Sequence, residues 1–165
     1  MSEAVEKIRG PLIELLPRLR RFARNLTRDA DDADDVVQIA VERALMRCEQ
    51  WDSSARLDSW MFGIIRHAWI DELRSSKRRG LQLDVDELRE VIIDSNAAAE
   101  VEVMSVQAAM ARLPEEQRIA VSLVLVEGLS YKEAAQVMEV PIGTLTSRLA
   151  RGREALQALL GGTIS

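Results

Sequence analysis

Two stretches with the apolar periodicity of α-helices, separated by an acidic stretch without it, constrain the fold of this chain most. They cover about residues 11–79 and 105–160 of 165. Apolar side chains three and four residues apart lie on one face of a helix, and that face buries against a neighbouring element. The sequence therefore predicts an all-α chain of two small helical domains, residues 11–80 and 105–160, joined by an acidic, flexible linker over residues 81–104.

The first stretch contains signals for three helices. Pro11 and Pro17 are expected in first turns, where a missing N–H costs least, and Pro17 is expected to start the longer helix. The five aspartates of residues 29–35 are expected at the N-terminus of the second helix, where they cap free N–H groups. A third helix over about residues 57–76 is predicted to stop at Gly80, after a run of cations that suits a helix C-terminus.

The second stretch predicts a helix-turn-helix. Ser130 and Glu133 have the spacing of a capping box, in which each side chain accepts a hydrogen bond from the other residue's backbone N–H. The short helix that they start is expected to end near Met138. A tight connection then leads to a last helix over about residues 142–160. Two helices joined by so short a turn, the second one longer, are typical of a helix-turn-helix.

The last predicted helix divides into an apolar stripe and a polar arc. The stripe, which is expected to pack on the preceding helices, consists of Leu145, Leu149, Gly152, Leu156 and Leu159. The arc consists of Thr144, Ser147, Arg148 and Arg151. Hydroxyls and arginines near the start of such a helix suit contacts to base edges and phosphates in a major groove. A merely solvated face is the alternative, because helix-turn-helix units also occur in proteins that do not bind DNA.

The third predicted helix carries a stripe that changes from apolar to basic along its length. Its members are Trp60, Ile64, His67, Asp71, Arg74 and Arg78. The basic end is suited to following a phosphate backbone. The opposite face is the better candidate for core, with Met61, Phe62, Ile65, Trp69 and Leu73. The three tryptophans are interpreted as packing residues, with stacking on an unpaired base as the alternative for one of them.

The net charge of −5 is unusual for a DNA-binding protein, but it is unevenly distributed. Residues 81–111 hold seven acidic residues and one basic residue, whereas the rest of the chain holds 21 basic and 20 acidic residues. The acidity therefore belongs to the predicted linker and its surroundings, and it leaves room for basic stripes elsewhere.

The composition argues against several other classes of protein. With one cysteine and one histidine, Cys48 and His67, an intrachain disulfide is impossible and a Cys/His zinc site is not expected. We find no phosphate-binding glycine loop and no catalytic motif, so neither an enzyme nor a cofactor is predicted. The N-terminal residues lack the apolar core of a signal peptide, and the longest apolar run is too short to span a bilayer. The expected location is the cytoplasm, without membrane insertion.

Several segments resemble the signatures of extracytoplasmic-function sigma factors, which belong to the sigma-70 superfamily. DADDVVQ at residues 32–38 and SWMFGIIRHAWIDELR at residues 59–74 resemble region 2 of that family. LPEEQR at 113–118, EGLSYKEAA at 127–135 and PIGTLTSRLARGR at 141–153 resemble region 4. Each segment alone is moderately specific. Their order and spacing together make the resemblance specific, and it covers about residues 11–160.

The resemblance implies a sigma factor that binds core RNA polymerase and directs it to promoter DNA. In region 2, the implied polymerase contacts are Asp34, Asp35 and Gln38, and the implied −10 contacts are His67, Arg74, Lys77 and Arg78. In region 4, the implied −35 contacts are Thr144, Ser147, Arg148 and Arg151. An anti-sigma factor is a further implied partner. The acidic linker would run through the polymerase near the RNA path.

Four residues depart from the family pattern. His67 stands where asparagine is usual, which bears on −10 preference, and Thr146 stands where lysine is common in the last helix. Gly63 and Ile39 replace a frequent arginine and a frequent glutamate. Two other interpretations stay open from the residues alone. One is an adaptor that mimics a sigma factor and sequesters an anti-sigma factor; the other is a helix-turn-helix regulator that binds DNA alone.

Overall fold

The structure, a computed structural model, describes residues 2–52, 54–80 and 105–161. Within these ranges the chain is helical and forms no strand, which confirms the all-α prediction. The helices are α1 (Glu3–Thr27), α2 (Ala30–Met46), α3 (Leu57–Arg78), α4 (Val106–Arg112), α5 (Glu115–Val121), α6 (Tyr131–Met138) and α7 (Ile142–Leu159). A 3₁₀ turn at Cys48–Gln50 follows α2, and a π-helical turn at Ser122–Val126 continues α5. The predicted acidic linker, residues 81–104, lies outside the described residues.

Helix α1 begins earlier than the prolines predict. Ser2 caps it by accepting a hydrogen bond from the backbone N–H of Val5 at 3.3 Å, and both Pro11 and Pro17 lie inside the helix. The prediction that Pro17 starts the longer helix was therefore wrong. An interior proline removes a helical hydrogen bond and favours a break. Here Ile8, which is fully buried, anchors the extra turns to the core, and tertiary burial overrides the local preference.

The first three helices pack around a shared core. The rings of Phe22 and Phe62 meet at its centre, with their centroids 4.8 Å apart. Asp29 caps α2, as predicted, by accepting a hydrogen bond from the N–H of Asp31 at 3.1 Å. On α3, the predicted core face is buried at Met61, Phe62 and Ile65, but Trp69 is half-buried and Leu73 is 41% exposed. The far end of α3 thus projects beyond the core, and its cations are accessible to solvent.

The last four helices form the second bundle, and α6 and α7 form the predicted helix-turn-helix. The capping box of Ser130 and Glu133 is present in full. The turn passes through Glu139, which has a left-handed backbone with φ of 58°. On α7 the predicted apolar stripe is buried at Leu145, Leu149, Gly152 and Leu156. Leu159, at the end of the stripe, is half-buried.

Gly152 allows α7 to approach α5 closely. A Cβ atom at this position would lie 2.6 Å from Cγ2 of Val121 and 3.3 Å from the carbonyl oxygen of Gln117. Val121 is 1% exposed and β-branched, so it has little freedom to move aside. A glycine is therefore required where these two helices cross.

We expect Gly152→Ala to lower the free energy of unfolding by about 1–2 kcal/mol, because overpacking outweighs the gain in helix propensity. Chemical denaturation followed by circular dichroism measures this. Gly143→Ala, in the same helix with open space around its Cβ position, is the matched control and should be neutral or slightly stabilising. Equal stability of the two variants would contradict the packing argument.

The two bundles pack against each other in the structure. Helix α6 lies on α3, and α5 with its π-helical turn lies on α1. This arrangement decides which of the predicted functional residues face solvent and which face the other bundle.

Candidate nucleic-acid interfaces and the junction between the bundles

The predicted arc of α7 lies on its outer surface, but its four residues are not equally accessible. Ser147 and Arg151 are exposed, and Thr144 is half-buried. Arg148 has a side chain that is only 23% exposed, because it forms an ion pair with Glu116 of α5 at 3.4 Å. Ser147 and Arg151 are therefore accessible to a ligand, whereas Arg148 must first break its ion pair with Glu116.

The predicted cations of α3 project from its C-terminal part. Arg74, Lys77 and Arg78 are exposed in the last turns of the helix. Cations stabilise a helix C-terminus, so this placement also has a purely structural benefit. His67, two turns earlier, is half-exposed, and its Nε2 atom forms a hydrogen bond with Oε1 of Glu139 in the other bundle. His67 therefore contacts the other bundle, whereas Arg74, Lys77 and Arg78 are exposed to solvent.

The aspartates of α2 form an exposed acidic surface. Asp34, Asp35 and Gln38 are all exposed. Asp34 and Gln38 also line a shallow groove between α1 and α2, whose other walls include Arg20 and Arg24. Burial raises the pKa of Asp32 above its usual range, and the charges of the neighbouring aspartates raise it further. This crowding of like charges favours a cationic partner at the surface.

The chain matches known families over both bundles. The model for Sigma-70 region 2 matches residues 12–79, and the model for Sigma-70, region 4 matches residues 104–156. The ECF RNA polymerase sigma factor EcfG of Rhodopseudomonas palustris is 33% identical over 155 residues, which cover 94% of this chain and 86% of that protein. The chain belongs to the ECF sigma factors. It is a transcription initiation factor that acts with RNA polymerase, and not an enzyme.

Two further relatives support this assignment. The ECF RNA polymerase sigma factor SigM of Mycobacterium tuberculosis is 37% identical over 145 residues, covering 87% of this chain and 72% of that protein. Among solved structures, the sigma factor RpoE of Bartonella quintana, in a co-crystal with the anti-sigma factor NepR, superposes with a TM-score of 0.76. That superposition covers 96% of this chain and 99% of RpoE at 26% identity, so it includes both bundles.

A buried carboxylate joins the bundles of this sigma factor near the middle of α1. The side chain of Glu127, at the end of the π-helical turn, has no exposed surface. It accepts two hydrogen bonds from Arg21, at 2.8 and 2.9 Å, and one from Nε of Arg18 at 3.2 Å. The contact with Glu127 raises the pKa of the Arg21 guanidinium despite its partial burial. Such bidentate, charge-assisted pairs fix geometry as well as adding stability.

Arg18 extends this cluster into the first bundle. It also donates to a carboxylate oxygen of Asp58 at 3.0 Å, and Arg56 donates to the same oxygen. Burial would raise the pKa of Asp58, but the hydrogen bonds from Arg56, the Ser59 N–H and Arg18 outweigh it and keep that pKa below its usual range. Asp58 therefore stays ionised at neutral pH and keeps its contacts with both arginines.

A buried arginine joins the bundles at the end of α1. Arg118, on α5, is 1% exposed. Its Nε atom donates to the carbonyl oxygen of Asn25 and one terminal nitrogen donates to that of Leu26 at 3.4 Å, while the other donates to Leu113 at 2.9 Å. Carbonyls in the last turn of a helix lack N–H partners from that helix. Arg118 therefore caps the C-terminus of α1 from the other bundle, where the helix dipole favours a cation.

The helix-turn-helix meets α3 through two carboxylates. Glu133, in the first turn of α6, pairs with Arg56 at 3.1 Å. Glu139, in the turn, bonds His67 and lies 3.9 Å from Arg66. The hydrogen bond from His67 lowers the pKa of Glu139. These contacts place two carboxylates of region 4 against Arg56, Arg66 and His67 of region 2.

Sequence reasoning did not find these junction residues. Arg118 directly precedes the apolar run of α5 and its π-helical turn, and Glu127 directly follows it. Charged residues in these positions by themselves suggest only the ends of a helix. The partners of Arg118 on α1 are 92 and 93 residues away, and those of Glu127 are 106 and 109 residues away. Arg118 ends the segment LPEEQR and Glu127 begins the segment EGLSYKEAA, so both belong to the family resemblance, but neither segment indicates their partners on α1.

Proposed function

We propose that this sigma factor divides promoter recognition between its two bundles. In this proposal α3 contacts the −10 element with His67, Arg74, Lys77 and Arg78, and α7 contacts the −35 element with Thr144, Ser147, Arg148 and Arg151. The supporting observation is that each helix exposes cations on a surface away from its own core. Residues 11–80 and 105–160 act as the two recognition domains, and residues 81–104 as the linker between them.

The acidic surface of α2 is the proposed contact with core RNA polymerase. Asp34, Asp35 and Gln38 are exposed there, and the described residues that line the groove beside them belong to α1 and α2. A polymerase surface that presents basic side chains would complement these carboxylates and guide the encounter.

An anti-sigma factor is the proposed regulator. The sigma factor RpoE was solved with the anti-sigma factor NepR, and it superposes on both bundles of this chain. The bundles of this sigma factor are therefore arranged much like those of a protein held by such a partner. We place the protein in the cytoplasm, where promoter DNA and polymerase are. Across the described ranges, the helices lack the combined length and apolarity needed to cross a bilayer.

Run-off transcription with core RNA polymerase tests the proposal. Promoters are first located by genome-wide mapping of this protein together with polymerase, and linear templates carrying them are then transcribed with and without it. We expect transcripts that start at the mapped promoters only when the sigma factor is added. An adaptor that mimics a sigma factor would give none, and a regulator that binds DNA alone would bind those promoters without core polymerase.

Replacing the exposed cations of α3 isolates the −10 assignment. In Arg74→Ala/Lys77→Ala/Arg78→Ala, we expect run-off transcription to fall by about tenfold or more, and the slope of log affinity against log salt to fall by about 0.7–0.9 per lost phosphate contact. Lys7→Ala/Arg9→Ala/Arg112→Ala removes three exposed cations elsewhere and is the matched control. Equal transcription from the two triple variants would contradict the assignment, provided that both bind core polymerase.

A further inference from the structure

We propose that the helix-turn-helix competes with promoter DNA for the −10 surface of the free sigma factor. The proposal rests on the −10 assignment above and adds an occupant to that surface. Glu133 and Glu139 of region 4 hold Arg56 and His67 of region 2, so that −10 DNA must displace α6 before it can bind.

The position of the contact supports competition. A groove between α3 and α6 has Trp60, Ile64 and His67 on one side and Val137 and Glu139 on the other. These α3 residues belong to the stripe that continues to Arg74 and Arg78 along the same face of the helix. Helix α6 therefore covers the N-terminal half of a surface whose C-terminal half remains exposed.

The charges of the contact support it as well. Guanidinium and imidazole N–H groups donate to carboxylates and to phosphates alike. The carboxylate of Glu139 therefore occupies a donor on His67, a residue assigned to −10 contact, and Glu133 holds Arg56 at the start of the same helix. A strand that neutralises several cations at once releases counterions and can displace two separate carboxylates.

The length of a promoter requires the contact to open. Elements at −10 and −35 lie about 25 base pairs apart, which is about 85 Å of B-DNA. A compact protein of this size has a radius of gyration of only about 15 Å. With α6 resting on α3, the two recognition helices cannot reach both elements together. The closed arrangement is thus incompatible with a fully bound promoter.

The ion pairs between α6 and α3 are also of a kind that can open. Arg56 and Glu139 are half-exposed, with side-chain exposures of 46% and 58%. Exposed ion pairs contribute little stability individually and form and break readily. In the closed state Ser147 and Arg151 of α7 remain exposed, so the free protein presents its −35 surface while its −10 surface is partly covered.

The test removes the two carboxylates without changing their shape. Glu133→Gln keeps the capping box, which accepts glutamine, and Glu139→Gln keeps the side-chain length. The matched control is Glu14→Gln/Glu115→Gln, which makes the same change in net charge at exposed sites on α1 and α5. Fluorescence anisotropy of the full chain is measured with a labelled oligonucleotide of the −10 strand and, separately, with a labelled −35 duplex.

We expect the double variant at Glu133 and Glu139 to bind the −10 oligonucleotide about 3- to 10-fold more tightly than the unmodified protein, because a larger fraction of molecules is open. Its affinity for the −35 duplex should match that of the control variant. Small-angle scattering should show a compact unmodified protein. The double variant keeps the contacts of Arg118 and Glu127 between the bundles, so its radius of gyration should stay close to that of the unmodified protein.

Three results would overturn the competition. They are equal −10 affinity of the double variant and the control, a gain of the double variant on the −35 duplex as large as its gain on the −10 oligonucleotide, and an extended unmodified protein in scattering. Failure of every variant to bind the −10 oligonucleotide, even when joined to core polymerase, would instead overturn the −10 assignment itself and the competition with it.

Discussion

Arg118→Ala is expected to lower the free energy of unfolding of the full chain by about 3 kcal/mol or more, since it leaves several buried carbonyl oxygens without their donor. Two of these oxygens, those of Asn25 and Leu26, belong to the last turn of α1 and cannot be satisfied within that helix. The third belongs to Leu113 in the second bundle. The substitution also leaves a cavity where a guanidinium was fully enclosed.

Urea denaturation followed by circular dichroism measures this loss. Arg112→Ala, at an exposed arginine on α4, is the matched control and should change stability by no more than about 0.5 kcal/mol. Arg118→Lys keeps the charge but loses the planar fork of donors, so it should recover only part of the loss. A change as small as that of Arg112→Ala would contradict the capping role of Arg118.

Arg151→Ala is expected to reduce run-off transcription from a −35-dependent promoter by about 10- to 100-fold, the range of one lost bidentate contact to a base. Arg151 is exposed on the outer arc of α7. Arg148→Ala should have a smaller effect, because Arg148 gives up its ion pair with Glu116 when it binds DNA. The difference between the two arginines follows from the structure and not from their spacing.

Arg153→Ala is the matched control for this experiment. Arg153 is exposed on the same helix, but it lies half a turn away from the arc of Thr144 and Arg151. Its replacement should leave −35-dependent transcription within about twofold, and core binding by all three variants should be unchanged. An equal loss in Arg151→Ala and Arg153→Ala would indicate a general charge effect and not contact by the outer arc.

Features that depend on neighbouring residues were predicted correctly. The capping box of Ser130 and Glu133 and the cap of Asp29 follow from hydrogen bonds that span two or three residues. The buried stripe of α7 follows from the helical repeat alone. Each of these interactions closes within one or two turns of chain, so its partners are visible in a short window of sequence.

The start of α1 shows where that local reasoning fails. The prolines predicted a helix start at Pro17, yet the helix begins at Glu3 and contains both of them. The cost of an interior proline is local, whereas the burial of Ile8 depends on helices that come later in the chain. The same limit explains why Leu73, on a correctly identified apolar face, is exposed: α3 extends beyond the helices that would cover it.

The amino-acid sequence determined the helices, the helix-turn-helix, the two basic surfaces and the family, because each depends on periodicity or on signatures within a short segment. Only the tertiary structure decided that Arg118 caps α1, that Glu127 is enclosed by Arg18 and Arg21, and that Glu139 reaches His67. These contacts join residues 72 or more positions apart. Their geometry follows from how the two bundles dock, and that docking is the sum of many weak contacts that no single segment encodes.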